Sequence, residues 1–300
     1  MTRRPDLLAR PEVSAEFMRG VQLAAPQPRL HSLGGSGLLV RFLQASVVID
    51  PYLLNTLGDR DPEAPAGWRD RDAPPPVRPQ DLTGLNAILI THGHGDHFDV
   101  PSLQALTRVN PDVTVVLPRT LRKEALRAGL PEERLQHLAE GERVQLADMV
   151  VQAVPAAHTP PELPQPQPDG LGGFAEVGYL LHLGPVTLYH AGDTVVHPHL
   201  PGLLRGVDVA VLPINGRRWS PFQPARLGNL TAEEAADLAG LCGIGTVVPV
   251  HHTLLGSSAG GLGAFLEYSA RRWPDLQVAS LRPGEAWTVH QEQSLPERGR

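Results

Sequence analysis

The sequence is poor in cysteine and in long apolar runs, and each shortage excludes a class of protein. Its 300 residues include one cysteine, Cys242, so neither an internal disulfide nor a zinc site with several cysteines can form. Because Cys242 stands in the apolar stretch DLAGLCGIG, the sequence predicts a buried structural thiol rather than a nucleophile. No stretch reaches the roughly 18 apolar residues of a membrane span, and no apolar signal region begins the chain. These absences predict a cytoplasmic protein with no membrane partner.

Positive charge is also scarce. The formal net charge is -6, and Lys123 is the only lysine among 26 basic residues. The negative net charge argues against non-specific binding to nucleic acid, so we expect a small-molecule substrate and no nucleic-acid partner. Hydrophobic residues at 41% and charged residues at 19% describe an ordinary globular protein with a sizeable core. Composition leaves a homo-oligomer possible.

The chain divides into one large domain and two short ends. Residues 1–28 are polar and proline-punctuated, with a possible helix near 12–19, and are predicted to be an N-terminal extension. Residues 29–290 form the predicted single α/β domain, and residues 291–300 form a C-terminal tail. The proline-rich segment 55–80 and the glycine clusters at 34–37 and 170–173 are interpreted as loops and turns.

Strand-like and helix-like segments alternate through the predicted domain. Thr231 and Glu234 match a capping box at the start of one helix, and Asp99 is predicted to cap another. Periodicity predicts two adjacent antiparallel strands within 38–49 and further strands at 86–90, 113–118, 142–147, 149–155, 176–182, 186–190, 207–213, 246–250 and 276–280. It predicts helices at 101–108, 120–129, 231–241 and 263–273.

The stretch THGHGDHFD, residues 91–99, carries the densest chemistry. It directly follows the strand predicted at 86–90, and open α/β sheets place ligands at strand ends. Alternate residues of an extended segment share a side, so His92 and His94 can face one metal ion. Asp96 and His97 are neighbours that can turn towards a second ion. Surface histidines in a loop are the alternative interpretation, but three histidines and an aspartate at this spacing favour metal binding.

Three later strand-like runs also end in ligand-type residues. The run at 149–155 leads to His158, the run at 186–190 leads to Asp193, and the run at 246–250 leads directly to His251. Taken singly, each has an ordinary structural interpretation as a loop, turn or strand-end residue. Together with the first cluster they make seven ligands, which suits two ions that share one bridging carboxylate.

The H-x-H-x-D-H motif, the spaced His158, the GDT around Asp193 and the late His251 resemble the metallo-β-lactamase superfamily. The resemblance covers about residues 29–290 and implies a four-layer αββα sandwich. It implies His92, His94 and His158 on one metal, with Asp193 between the two ions. The ligands that it implies for the second metal are Asp96, His97 and His251. The same resemblance implies catalytic roles for Asp193 and Asp96.

A finer resemblance lies in VLPINGR (211–217), NLTAEEAADLA (229–239) and VVPVHHTLL (247–255). These segments are similar to the L-ascorbate-6-phosphate lactonase subgroup, which favours His251 over His252 as the ligand. The chain departs from relatives at Gly35, where they often carry a histidine.

The expected activity is hydrolysis of a small anionic ester or lactone. The cofactor is predicted to be two divalent ions, zinc first, with manganese or iron as alternatives. A phosphodiesterase acting on a nucleotide or lipid headgroup is the second interpretation, and a noncatalytic metal-binding regulatory protein is the third.

Residues flanking the motifs are candidates for substrate contacts. Arg217 or its neighbour Arg218 could hold a phosphate or carboxylate, and His252 could line the pocket. His190 is predicted to support the site from behind, whereas His197 and His199 are expected to be exposed. The segment 159–173 is interpreted either as a loop that covers the pocket or as a passive surface loop.

Overall fold

Two seven-stranded sheets form the centre of the molecule. The computed structural model describes residues 25–57, 70–158, 164–217, 228–255 and 261–290. The strands are β1 Ala25–Gly34, β2 Gly37–Leu43, β3 Ala45–Ile49, β4 Ala87–Leu89, β5 Thr114–Val116, β6 Leu135–Gln136, β7 Arg143–Leu146, β8 Met149–Pro155, β9 Val177–Leu183, β10 Val186–His190, β11 Val209–Pro213, β12 Thr246–Val250, β13 Gln277–Val278 and β14 Ala286–Thr288.

Each sheet is half antiparallel and half parallel. The first has the order β14-β1-β2-β3-β4-β5-β6 and becomes parallel from β3 onwards. The second has the order β13-β12-β11-β10-β9-β8-β7 and is parallel from β10 to β13. Parallel neighbours need a crossover connection, so both parallel halves carry helices.

The helices begin where the sequence supplies caps. Asp99 accepts a hydrogen bond from the backbone of Ser102, and Thr231 and Glu234 form the complete capping box. Both predicted caps are confirmed. The described helices are α1 Val100–Val109, α2 Arg122–Arg127, α3 Leu200–Leu203, α4 Ala232–Cys242 and α5 Leu262–Arg272.

Three apolar clusters define four layers. The largest lies between the sheets, where side chains such as Ile49 and Leu188 are fully buried. A second packs the outer face of the first sheet against α1 and α2, and a third packs the outer face of the second sheet against α4 and α5. This arrangement confirms the predicted αββα sandwich and the single α/β domain. No helix of the described ranges is both long and apolar enough to cross a membrane.

The structure departs from the sequence predictions in several places. Strand β1 begins at Ala25, inside the segment predicted as an extension. Strand β14 was not predicted; it pairs with β1 at the sheet edge. Cys242 is half-buried rather than buried, because it is the last residue of α4, and partial burial raises the pKa of its thiol. The predicted helix near 12–19, the tail 291–300 and Arg218 lie outside the described residues.

Both glycine clusters form the predicted turns. Residues 34–37 close the hairpin between β1 and β2. Gly170 and Gly172 have positive φ angles in a loop that returns on itself through the bridge between Pro168 and Phe174. The turn is closed by the Asp169 carboxylate, which accepts hydrogen bonds from the backbone of Leu171 and Gly173. The loop contacts the rest of the protein where Glu140 N donates to Gly172 O at 2.8 Å and Arg119 Nε lies 3.4 Å from Asp169 Oδ2.

Candidate metal centre

The predicted ligands come from strand ends that meet at one edge of the sandwich. β4 belongs to the first sheet, whereas β8, β10 and β12 belong to the second. Backbone hydrogen bonds join the sheets here: Val177 N donates to Thr91 O at 3.0 Å, and His251 N donates to Gly35 O at 3.1 Å. The segment that begins at Thr91 therefore faces the loops that carry the other candidate ligands.

One group of donor atoms comprises His92, His94, His158 and Asp193, whose atoms lie within 4.8 Å of one another. His158 Nε2 lies 3.6 Å from Asp193 Oδ2, and His92 Nε2 lies 2.9 Å from His94 Nδ1. Three of these side chains are buried and His94 is exposed. The group is therefore open to solvent on the His94 side.

A second group comprises Asp96, His97 and His251. Asp96 Oδ2 lies 3.4 Å from His251 Nε2 and 3.7 Å from His97 Nε2. Asp193 reaches this group as well, because its Oδ1 lies 3.5 Å from His97 Nε2 and its Oδ2 lies 3.4 Å from His251 Nε2. The structure thus brings all seven predicted ligands together, with Asp193 between the two groups.

The chemistry of Asp193 fits a bound cation. Its Oδ1 is buried and has no hydrogen-bond partner within the described residues, and a buried carboxylate is costly unless it is paired or coordinates a metal. Burial would raise the pKa of Asp193, but His251 and His97 hold it well below its usual range. Histidine nitrogens and carboxylate oxygens suit zinc, manganese or iron.

The charges of the two groups differ. Burial lowers the pKa of His92 well below its usual value, and the neighbouring histidine His97 lowers it further. Burial would also lower the pKa of His251, but Asp193 and Asp96 raise it to about 10. The carboxylates therefore favour positive charge at the second group, and a bound divalent cation would supply that charge in place of the ring protons.

Asp50 orients the cluster, and the sequence interpretation missed it. It is fully buried, has a φ of 46°, and directly follows β3. Its Oδ1 accepts from Thr91 N at 2.9 Å, and its Oδ2 lies 2.7 Å from Thr91 Oγ1 and 2.8 Å from His97 Nδ1. When His97 Nδ1 donates to Asp50, its Nε2 is left to face the ligand group. An acidic residue at a strand end, before Pro51, was the available signal.

Two more ligands are oriented by their other ring nitrogen. His158 Nδ1 lies 3.2 Å from the Gly228 carbonyl, to which it donates. His92 Nδ1 lies 3.1 Å from Thr91 Oγ1, which itself donates to Asp50. Both rings thereby present Nε2 towards Asp193, as metal ligation requires.

Gly192 lets the loop after β10 approach the first sheet. Its φ is +59°, and a Cβ there would lie 2.6 Å from the Cβ of Thr91. His190 lies behind this turn, fully buried, with Nε2 2.9 Å from the Ser36 carbonyl and Nδ1 3.1 Å from Gly192 N. His190 is therefore placed as a support for the Asp193 loop.

The remaining candidates have mixed placements. Arg217 Nη1 pairs with Glu234 Oε2 at 2.6 Å, and His252 is buried beside His251. The expectation that His197 is exposed is wrong: it is 1% exposed, because its loop folds inwards before α3, whereas His199 is exposed. At Gly35, a Cβ would lie 2.6 Å from Leu254 Cδ2. Leu254 thus occupies the space that a side chain at position 35 would need.

Both the sequence and the fold are similar to those of known proteins. Residues 47–252 match the model of the beta-lactamase superfamily domain. A UPF0173 metal-dependent hydrolase of Methanoregula boonei is 30% identical over 69% of this chain and 84% of that protein. The UPF0173 protein of Pyrococcus abyssi is 27% identical over 85% of this chain and 97% of that protein.

A solved structure has the same fold. It is the structure of a possible metal-dependent hydrolase from Veillonella parvula, which superposes with a TM-score of 0.68 at 16% identity. The superposition covers 88% of this chain and 99% of that one. In this chain, the strand ends of that shared fold converge on the cluster of histidines and aspartates.

Proposed function

This chain belongs to the UPF0173 metal-dependent hydrolases of the beta-lactamase superfamily, and from that premise we propose that it hydrolyses small esters or lactones at a centre for two divalent ions. The finer proposal is a substrate with an anionic group, as in the lactonase subgroup that the sequence resembles. Asp193, placed between the two ligand groups, is the observation that carries the proposal.

Two divalent ions, when bound, would lower the pKa of a water between them and polarise the carbonyl under attack. The proposed ligands of one ion are His92, His94, His158 and Asp193, and those of the other are Asp96, His97, His251 and Asp193. Zinc is the proposed metal, with manganese or iron as alternatives.

The protein's own groups would orient the attacking water. Burial would raise the pKa values of Asp193 and Asp96. The histidines His97 and His251 beside them outweigh this effect and hold both pKa values below the usual range. Both therefore stay ionised and accept hydrogen bonds, which fixes the direction of a water that lies among them. Asp50 fixes the orientation of the His97 ring, and the Gly228 carbonyl fixes that of the His158 ring.

The exposed position of His94 supports entry of substrate from that side. Arg217 is the proposed contact for an anionic group. Because Arg217 is paired with Glu234, it would have to exchange that partner for the substrate. His252 is proposed to line the pocket beside His251. Phosphodiesters are the alternative substrates, because a centre of two divalent ions also stabilises the attacking and leaving oxygens of a phosphoryl displacement.

A parallel substrate screen tests the proposal. The zinc-loaded protein is assayed with γ- and δ-lactones, carboxylic esters and phosphodiesters, and Asp193→Ala is the matched control. We expect turnover of lactones or carboxylic esters and a loss of at least about 100-fold in the control, as for removal of a group that acts in the transition state. Turnover confined to phosphodiesters would replace this proposal with the phosphodiesterase alternative. Equal turnover by Asp193→Ala would contradict the assigned role.

A further inference from the structure

A short backbone ladder flanks the candidate metal centre. Gly216 N donates to Leu230 O at 3.0 Å, and Asn229 N donates to Gly216 O at 3.1 Å. Beside this ladder, the Gly228 carbonyl holds His158 Nδ1 at 3.2 Å. The ladder is thus attached to a proposed ligand of the first ion.

The other end of the ladder lies beside the second ligand group. Ile214 N donates to the carbonyl of Val250, the residue directly before His251, at 3.1 Å. β11, which leads into the ladder, lies between β10 and β12 in the sheet, and these neighbours lead to Asp193 and His251. Asn215 is two residues beyond the end of β11. It therefore lies at the same edge of the sheet as Asp193 and His251, between the strands that lead to them.

Asn215 and Asn229 form a fixed pair of amides. Asn229 is 2% exposed, and its Nδ2 donates to Asn215 Oδ1 at 2.9 Å. The Oδ1 of Asn229 is buried with no hydrogen-bond partner in the described part of the chain. Since a buried unpaired amide oxygen destabilises a fold, stability alone does not account for this pair. Asn215 is half-buried, and with its oxygen occupied it has its Nδ2 hydrogens left for a ligand.

We propose that Asn215, held by Asn229, is an uncharged hydrogen-bond-donor subsite that binds a carbonyl oxygen of the substrate remote from the bond that is cleaved. This inference rests on the proposed function, because Asn215 would contact a substrate that is bound at the metal centre. An amide group carries no charge, so it suits a neutral acceptor, whereas a phosphate would call for arginine or lysine. Arg217, two residues along the chain from Asn215, is already paired with Glu234.

Two small carboxylates test the subsite without turnover. N,N-dimethylsuccinamate has a carboxylate for the metal centre and a tertiary amide carbonyl that only accepts; 5-methylhexanoate has the same chain length and the same branched end without the carbonyl. Both are titrated calorimetrically into the zinc-loaded wild-type protein and into Asn215→Ala. We expect the preference for the carbonyl compound, as a ratio of Kd values, to fall about fivefold in Asn215→Ala, the size of one neutral hydrogen bond.

Two further variants sharpen the result. In Asn215→Asp the preference should fall further, because a carboxylate cannot donate to the carbonyl. Gln104→Ala removes an exposed amide on α1 that donates to Ala128 O, and it should leave the preference unchanged. In ¹⁵N-asparagine-labelled protein, the side-chain NH₂ signal that disappears in Asn215→Ala should shift with dimethylsuccinamate and stay with 5-methylhexanoate.

An unchanged preference in Asn215→Ala, or a stronger one in Asn215→Asp, would overturn the subsite. Binding of neither carboxylate by the wild-type protein would overturn it too, since no metal-bound ligand would then reach Asn215. The proposed function is judged separately by the ester and lactone screen. Turnover of esters or lactones in the screen, together with an unchanged preference for dimethylsuccinamate in Asn215→Ala, would support the proposed function and contradict only the subsite.

Discussion

Asp50 shows how much of the candidate centre depends on a single buried residue that binds no metal in the proposed arrangement. It contacts both Thr91 and His97 and so positions the start and the middle of the histidine cluster. Replacement by asparagine keeps the size but puts an amide NH₂ where one of the carboxylate oxygens accepts.

We predict that Asp50→Asn weakens zinc binding about 10- to 100-fold, the usual cost of losing a partner that orients a metal ligand. Competition with a chromophoric chelator measures the affinity. The matched control is Asp112→Asn, an exposed aspartate far along the chain, which should leave the affinity unchanged. Equal zinc affinities in wild type and Asp50→Asn would remove the orienting role.

Glu176 should make stability depend on pH. It is half-buried, its Oε2 has no hydrogen-bond partner among the described residues, and burial raises its pKa to about 7. Between its ordinary pKa of 4.5 and about 7, the unfolded state releases a proton that the folded state keeps. The free energy of unfolding therefore falls as pH rises through this window, and the contribution of Glu176 changes no further at higher pH.

We predict that the change in the free energy of unfolding caused by Glu176→Gln is about 1 kcal/mol more stabilising at pH 8 than at pH 5. This figure allows for solvent screening of a half-buried group. Urea unfolding at the two pH values gives the difference. Glu267→Gln, at an exposed position of α5, is the control and should show no such difference. A Glu176→Gln effect that is the same at both pH values would refute the assignment.

At this scale, residue type and position were enough to predict which seven side chains the structure brings together, because each follows a strand; their role as metal ligands stays a prediction. Asp50 was missed although its place at a strand end before Pro51 was a signal, and the pairing of Asn215 with Asn229 was not predictable. Their roles depend on contacts with residues 41 and 14 positions away in the chain, and local pattern carries no record of such contacts.

Among the elements, the turn after β10 decides how closely the two sheets meet. Gly192 combines a positive φ with a virtual Cβ position 2.6 Å from Thr91. Any side chain there must push the Asp193 loop away from the segment that carries His92.

We predict that Gly192→Ala costs about 1–3 kcal/mol of folding stability through strain and crowding, and that it also weakens zinc binding because Asp193 moves. Gly202→Ala is the matched control: this glycine lies in α3 with nothing within 4 Å of an added Cβ. Thermal unfolding and zinc titration should separate the two variants. Tolerance of Gly192→Ala in both measurements would show that the approach of the sheets does not depend on this glycine.

The elements themselves were predicted unevenly. Periodic segments such as α4, with its capping box, and β12 agree with the sequence prediction because local signals and packing coincide. β14 and β6 are three and two residues long, so they have no periodicity to detect and exist only through pairing with β1 and β5.

For the whole molecule, the αββα arrangement matters because it assembles the ligands only when both sheets are in place. His92, His94, Asp96 and His97 follow a strand of one sheet, whereas His158, Asp193 and His251 follow strands of the other. The unfolded chain has no such site, so metal binding and folding are linked.

Removal of metal should therefore lower the Tm. With free zinc at about 100 times its Kd, each site adds about 2.7 kcal/mol to the free energy of unfolding. Calorimetric unfolding with and without a chelator measures the effect, and Asp193→Ala should show a smaller difference than the wild type. A chelator with no effect on the wild-type Tm would contradict the linkage.

The central claim is that seven side chains, with Asp193 shared, form a centre for two ions. Native mass spectrometry of the metal-depleted protein titrated with zinc tests it most directly. The account predicts saturation at two zinc ions per chain. Saturation at one ion or fewer, with zinc in excess, would contradict it.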